Sequence, residues 1–207
     1  MKIVRGSAAL AALALGVCLG PARAQEPGPE QLIQRITDEV MTAIQADREL
    51  AAGDKDKALK LAEQKVLPYV DFEEATRLAV SRAWLQASAE QKRKLVSEFR
   101  AMMLRTYTSA MGAYTGTEPR LLPSRGQARG AEATVRYQFS RSGARPVQVA
   151  YELRRTGAGW KIYDVSVEGM SLVLTYRTEF DGILKQEGID GLISRLAQKN
   201  APPRLAL

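Results

Sequence analysis

Few side chains in this chain are able to do covalent or proton-transfer chemistry. Its 207 residues contain no histidine and a single cysteine, Cys18. The lack of imidazole excludes His-dependent triads, His metal sites and the commonest general base. A lone thiol excludes zinc–thiolate clusters and has no partner for a disulfide within the chain. Catalysis would have to run on Asp, Glu, Lys, Tyr or Ser. Tyr163-Asp164 would suit proton abstraction inside a cavity, because Asp and Tyr share that work in some cavity enzymes. The phase of its segment puts Asp164 on the solvent side of a strand, however, which favours an ordinary surface carboxylate. Arg177 and Glu179 read as electrostatics on a helix surface. The expectation is a protein with no catalytic residue, no metal site and no cofactor.

The other candidates are apolar. Met102, Met103, Met111 and Met170 stand beside aromatic residues in segments able to face a sheet. An unbranched, polarizable thioether suits a wall that must accept shapeless hydrocarbon, although it also fills irregular cores.

These residues need elements to position them, and the chain begins with one that does not belong to the fold. Lys2 and Arg5 precede an apolar run from Ala8 to Leu19, and Ala22-Arg23-Ala24 gives the small-x-small pattern of signal cleavage. Residues 1–24 are therefore expected to be a cleaved signal peptide that directs the protein to the periplasm. The run is too short for a permanent anchor, which needs about 20 apolar residues. Acylation at Cys18 is the rival reading, and bulky Val17 in front of it fits that poorly. Cleavage removes Lys2, Arg5 and Arg23 and no acid, which takes three from the formal net charge of +7. The remaining surplus suits an anionic membrane surface or acidic partner, and no dense basic tract suggests nucleic acid.

Residues 25–200 read as one domain and 201–207 as a flexible tail. Leu32, Ile33, Ile36, Val40 and Ile44 recur at helical spacing to about Leu50, with Pro29 suited to a first helical position. Asp54 caps a second helix that Pro68 ends. Asp71 with Glu74, and Ser88 with Gln91, are capping-box arrangements before a short helix and a long one, the latter expected over Ala89–Ala113. From Thr117 the period changes from helical to alternating, as in Ala133, Val135, Tyr137, Phe139 and again in Val147, Val149, Tyr151, Leu153. The phase slips between Ile162 and Tyr163, which predicts a bulge and hence a curved sheet. Two further helices follow, the first ended by Gly188 and the second capped by Asp190. The expected fold is α+β: a curved antiparallel four-stranded sheet with helices packed on its concave face. It is analogous to the nuclear-transport-factor-like cavity fold, with an N-terminal helical extension.

Several stretches, taken in this order, resemble the MlaC family of periplasmic phospholipid-binding auxiliary components of an ABC transport system, also called toluene-tolerance proteins. They are Leu67-Pro-Tyr-Val-Asp-Phe72, Trp84 with Ala89-Glu-Gln91, Phe99-Arg100 and Arg105-Thr-Tyr107. Later come Gly159-Trp-Lys-Ile-Tyr-Asp-Val165, Glu168-Gly-Met-Ser-Leu172, Tyr176-Arg-Thr-Glu-Phe180 and Gly188-Ile-Asp-Gly-Leu192. The resemblance spans Leu32 to Lys199. Ser81 stands where the family pattern leads one to expect Gly, and Thr175 where it leads one to expect Asn.

The resemblance implies a phospholipid carried as cargo, with its acyl chains inside a pocket and its headgroup in solvent. It also implies two docking partners: an outer-membrane lipoprotein–porin complex and an inner-membrane ABC transporter with a hexameric lipid-binding ring. A carrier for another apolar molecule, such as a hopanoid, would use the same scaffold. Face assignment, independent of the family, places a cavity between the long helix, the Glu168–Glu187 helix and the concave sheet face. The side chains it picks for the wall are Val70, Phe72, Phe99, Met103, Tyr107, Val135, Tyr137, Val149, Tyr151, Val165, Met170 and Val173.

Overall fold

The computed structural model describes residues 27–108, 114–123 and 130–201. The expected signal peptide, Met111 with the end of the long helix, and residues 202–207 of the expected tail lie outside these described residues.

Helix α1 (Pro29–Ala46) begins with the proline at its first position, where a missing N–H costs nothing. Its apolar spacing buries Leu32, Ile33, Ile36, Met41 and Ile44 along one stripe. Asp47 accepts backbone N–H bonds from Glu49 and Leu50 and so starts the short α2 (Arg48–Ala51). Asp54 caps α3 (Lys55–Lys65) through the Lys57 N–H at 2.9 Å. After a 3₁₀ turn, Leu67–Tyr69, comes α4 (Phe72–Val80). Asp71 caps α4 through the Glu74 N–H, but Glu74 does not complete the capping box. Its carboxylate turns instead to Arg77 and, at 2.8 Å, to Arg154 of the sheet.

The short α5 (Ala83–Gln86) buries Trp84, and Lys92 lies over its indole. The α6 helix (Ala89–Thr108) opens with both halves of the Ser88–Gln91 box formed, at 3.1 and 2.9 Å.

Strands β1 (Glu118–Leu122), β2 (Glu132–Ser140), β3 (Val147–Thr156), β4 (Gly159–Val167) and β5 (Met170–Ser171) pair antiparallel in chain order. The sheet thus has five strands where four were expected, because two residues after the Glu168-Gly169 turn still pair with β4. Both turn residues have positive φ, 50° and 80°. Between β3 and β4 the register passes from Glu152↔Asp164 to Leu153↔Ile162. Tyr163 is the residue left over, so the bulge sits where the phase slip put it.

Helix α7 (Leu172–Asn200) runs through Gly188, whose φ of 69° and ψ of −167° make a kink. The sequence reading of two helices separated there matches this kink. Asp190 does not act as the expected cap: its carboxylate accepts from the Gln91 side chain on α6, 2.9 Å away.

The apolar residues gather in three clusters among the described residues. One joins α4, α5, α6 and α7, with Leu95, Phe99, Phe180 and Leu192 at its centre. A second lies between α1 and the sheet, and the third among α1, α2 and α3.

Candidate functional site

Where these three clusters meet, the side chains do not close on one another. They leave a cavity of about 320 Å³, at the lower end of the roughly 300–1,000 Å³ found for small-molecule sites. Helix α1 gives one wall with Ile33, Ile36, Val40, Met41 and Ile44. The segment from α3 to α4 adds Ala62, Val66, Leu67, Val70, Phe72 and Ala75. The α6 wall consists of Phe99, Met103, Leu104 and Tyr107, each about one helical turn from the next or adjacent to it. The sheet provides the floor through Phe139, Val149, Tyr151, Val165 and Val167, and Leu172 and Val173 close one side.

Phe99 is 1% exposed, and its ring meets Tyr176 and Phe180 edge-on at 5.2 and 5.4 Å between centroids. That contact fixes the α6 wall against α7.

Polar groups at the cavity are mostly spoken for. The Thr108 hydroxyl donates to the Leu104 carbonyl at 2.5 Å. The phenol of Tyr107 pairs with that of Tyr176, and this together with burial pushes its pKa up, burial being the larger cause. Asp164 accepts from the Ser171 hydroxyl at 2.5 Å and from the Val165 and Val173 N–H groups at 2.8 and 3.1 Å. It ties β4 to the first turn of α7, and both of its oxygens are occupied in that task. Asp164 is half-buried and borders the cavity, where strand phase had placed it in solvent. Tyr151 behaves differently: desolvation pushes its hydroxyl well above the ordinary phenol range, yet the side chain keeps accessible surface. It lines the cavity.

Of the side chains the sequence singled out, Val70, Phe72, Phe99, Met103, Tyr107, Val149, Tyr151, Val165 and Val173 come together on this wall. Val135 and Tyr137 do not. They lie on the same sheet face but are 1% and 3% exposed beneath α1, with the Tyr137 hydroxyl bonded to Thr37. Met170 is 67% exposed, because the Glu168-Gly169 turn carries it to the sheet edge.

The placement of the cavity also differs from the expectation. Helix α7 contributes only its first turn, and the rest of it packs solidly on α4 and α6. Helix α1 takes its place as a wall. The signal for α1 was present in its apolar stripe, but a stripe does not say whether the opposing surface is a strand or a void. Among the described residues, no helix is long and apolar enough to cross a membrane, and no three His, Cys, Asp or Glu side chains are grouped to hold a metal ion.

Residues 34–198 match the family described as MlaC protein. The chain belongs to the MlaC family. A curated MlaC relative, the intermembrane phospholipid transport system binding protein MlaC of Haemophilus influenzae, is 24% identical over 86% of this chain and 85% of its own length. The toluene tolerance protein ttg2D of Pseudomonas putida is 20% identical over 78% of this chain and 75% of its own. Among solved structures, a phospholipid-binding protein from Ralstonia solanacearum, in complex with a phospholipid, superposes with a TM-score of 0.77 at 29% identity, covering 84% of this chain and 97% of that one.

Several stretches of the MlaC resemblance have a local role in the fold. Asp71 is the α4 cap and Asp164 the α7 anchor, while the glycine at 188 is the kink. Ser81, where the MlaC pattern suggested glycine, has φ 57° and ψ −127°, a conformation that glycine adopts without strain.

Proposed function

We propose that this protein is a periplasmic phospholipid carrier that holds acyl chains in its cavity and moves lipid between the two membranes of the envelope. The observation that carries the reading is the apolar cavity at the meeting of three clusters, in a family with a phospholipid-bound relative of the same fold. Physics supplies the need. Burying a CH₂ is worth about 0.8 kcal/mol, so two ordinary acyl chains exposed to water would cost upwards of about 20 kcal/mol. A lipid crosses water at a useful rate only if a protein takes over that burial.

The cavity must then bind about as well as a bilayer does, since tighter binding would prevent delivery. Release needs a partner that prefers the emptied form, because uniform binding shifts no equilibrium. In this reading the partners are an inner-membrane ABC transporter with a hexameric lipid-binding ring and an outer-membrane lipoprotein–porin complex. The signal peptide, removed after Ala24, brings the protein to the periplasm, where it acts without catalysis and without a cofactor.

The test is lipid exchange between vesicles. Donor vesicles carrying a quenched fluorescent phospholipid are mixed with acceptors, and the protein at micromolar concentration should raise the transfer rate in proportion to its amount. A rate equal to that of vesicles alone, from protein shown to be folded, overturns the reading. Transfer of a polycyclic lipid in place of the phospholipid would reassign the cargo.

A further inference from the structure

The cavity wall contains more hydroxyl groups than a surface meant only for hydrocarbon requires, and they are not equivalent. Tyr107 pairs with Tyr176, and Thr37 pairs with Tyr137, which lies off the wall beneath α1. Tyr163, the bulge residue, sits among the carboxylates of Glu132, Glu152, Asp164 and Glu74. The hydroxyls of Tyr114 and Tyr151 have no hydrogen-bond partner among the described residues, and both side chains border the cavity.

Tyr151 is the more telling of the two. It stands mid-strand on β3 with Val135 and Val165 beside it in register, so an apolar floor surrounds it. Desolvation is the first cause of its raised pKa, and the phenols of Tyr114 and Tyr137 add to it. A hydroxyl withdrawn from water without a partner is unfavourable. Phenylalanine would fill the same volume without that cost, and the wall does use phenylalanine at 72, 99 and 139.

We propose that the Tyr151 hydroxyl, with Tyr114 beside it, donates a hydrogen bond to an oxygen carried by the bound lipid, and so makes the cavity discriminate lipids by oxygen at that depth. This rests on the reading of the cavity as a lipid site. Two sources share the chemistry: an ester carbonyl of the glycerol backbone, or an oxygen on an acyl chain.

Competition between paired lipids separates them. The delipidated protein is offered equimolar pairs of phosphatidylglycerols in mixed vesicles and re-isolated, and the bound lipids are extracted and weighed by mass spectrometry. One pair is the dioleoyl diester against its diether analogue. The other is a stearoyl against a 12-hydroxystearoyl lipid. The wild-type protein should enrich the ester member of the first pair or the hydroxylated member of the second by about tenfold, the size of one hydrogen bond recovered by a buried hydroxyl. Enrichment in the first pair assigns the ester carbonyl, and in the second the chain oxygen. Tyr151→Phe should bring that ratio close to one while total bound lipid is kept, and Tyr114→Phe should lower it part of the way. The proposal is overturned if the wild-type protein shows no preference in either pair, or if Tyr151→Phe leaves the ratios unchanged. Wild-type protein that takes up none of the four lipids would instead refute the lipid reading itself, and this proposal with it.

Discussion

Ser81 ends α4 with a backbone that side chains rarely adopt, at φ 57° and ψ −127°. Such a residue stores roughly 1–3 kcal/mol of strain. Ser81→Gly should release about 1 kcal/mol of it and raise Tm by about 2–4 °C in a domain of this size, as read by calorimetry. No change in Tm would mean that the serine conformation is relaxed. Val165 tests the cavity at the same scale. It is half-buried on the floor, opposite Tyr151 in register. Val165→Trp should fill space where lipid would sit, cutting bound lipid at least about fivefold, with thermal stability held. Undiminished lipid binding would show that the chains lie elsewhere. The floor was legible in the sequence because a strand's period of two decides which side chains share a face. Val135 and Tyr137 obey that rule and still miss the cavity, since the period names a face and not what packs against it.

The link between α4 and the sheet is ionic. Glu74 joins Arg77 at 2.5 Å and Arg154 at 2.8 Å, and Arg154 also reaches Asp71 at 3.4 Å. The Arg77 hydrogen bond, foremost, holds the Glu74 carboxyl below its ordinary value of 4.5, against the opposing effect of burial. A carboxyl whose folded pKa is depressed contributes stability that is fully present above its unfolded value and lost as pH falls through the folded one. The urea midpoint should therefore decline between about pH 5 and pH 3, and Glu74→Gln should flatten part of that decline. An identical acid slope in the variant would remove Glu74 from the account. At this scale the caps at Asp54, Asp71 and Ser88 were plain in the sequence, because capping is a local exchange between a side chain and a nearby N–H. Two assignments failed where a distant element competed. Arg154 draws away the carboxylate that would complete the Asp71 box, and Gln91 takes the Asp190 carboxylate expected to cap a helix. Gly191, the next residue, has no room for a Cβ, which would lie 2.2 Å from that of Glu187.

At the scale of the whole molecule, three apolar clusters surround a space that none of them fills. Cores normally close to crystal-like density, so an unfilled apolar interior needs an occupant to be stable and useful. The order of the longer helices, the antiparallel meander and the bulge were readable from period and turn residues, while the short α2, α5 and β5 were not. The hollow was not, because solid and hollow interiors have the same pattern of buried positions. The direct measurement is native mass spectrometry of the protein purified from its own envelope without detergent. The account predicts a mass exceeding that of residues 25–207 by that of phospholipid, released on collision as intact two-chain lipid. Folded protein that arrives at the mass of the chain alone would contradict it.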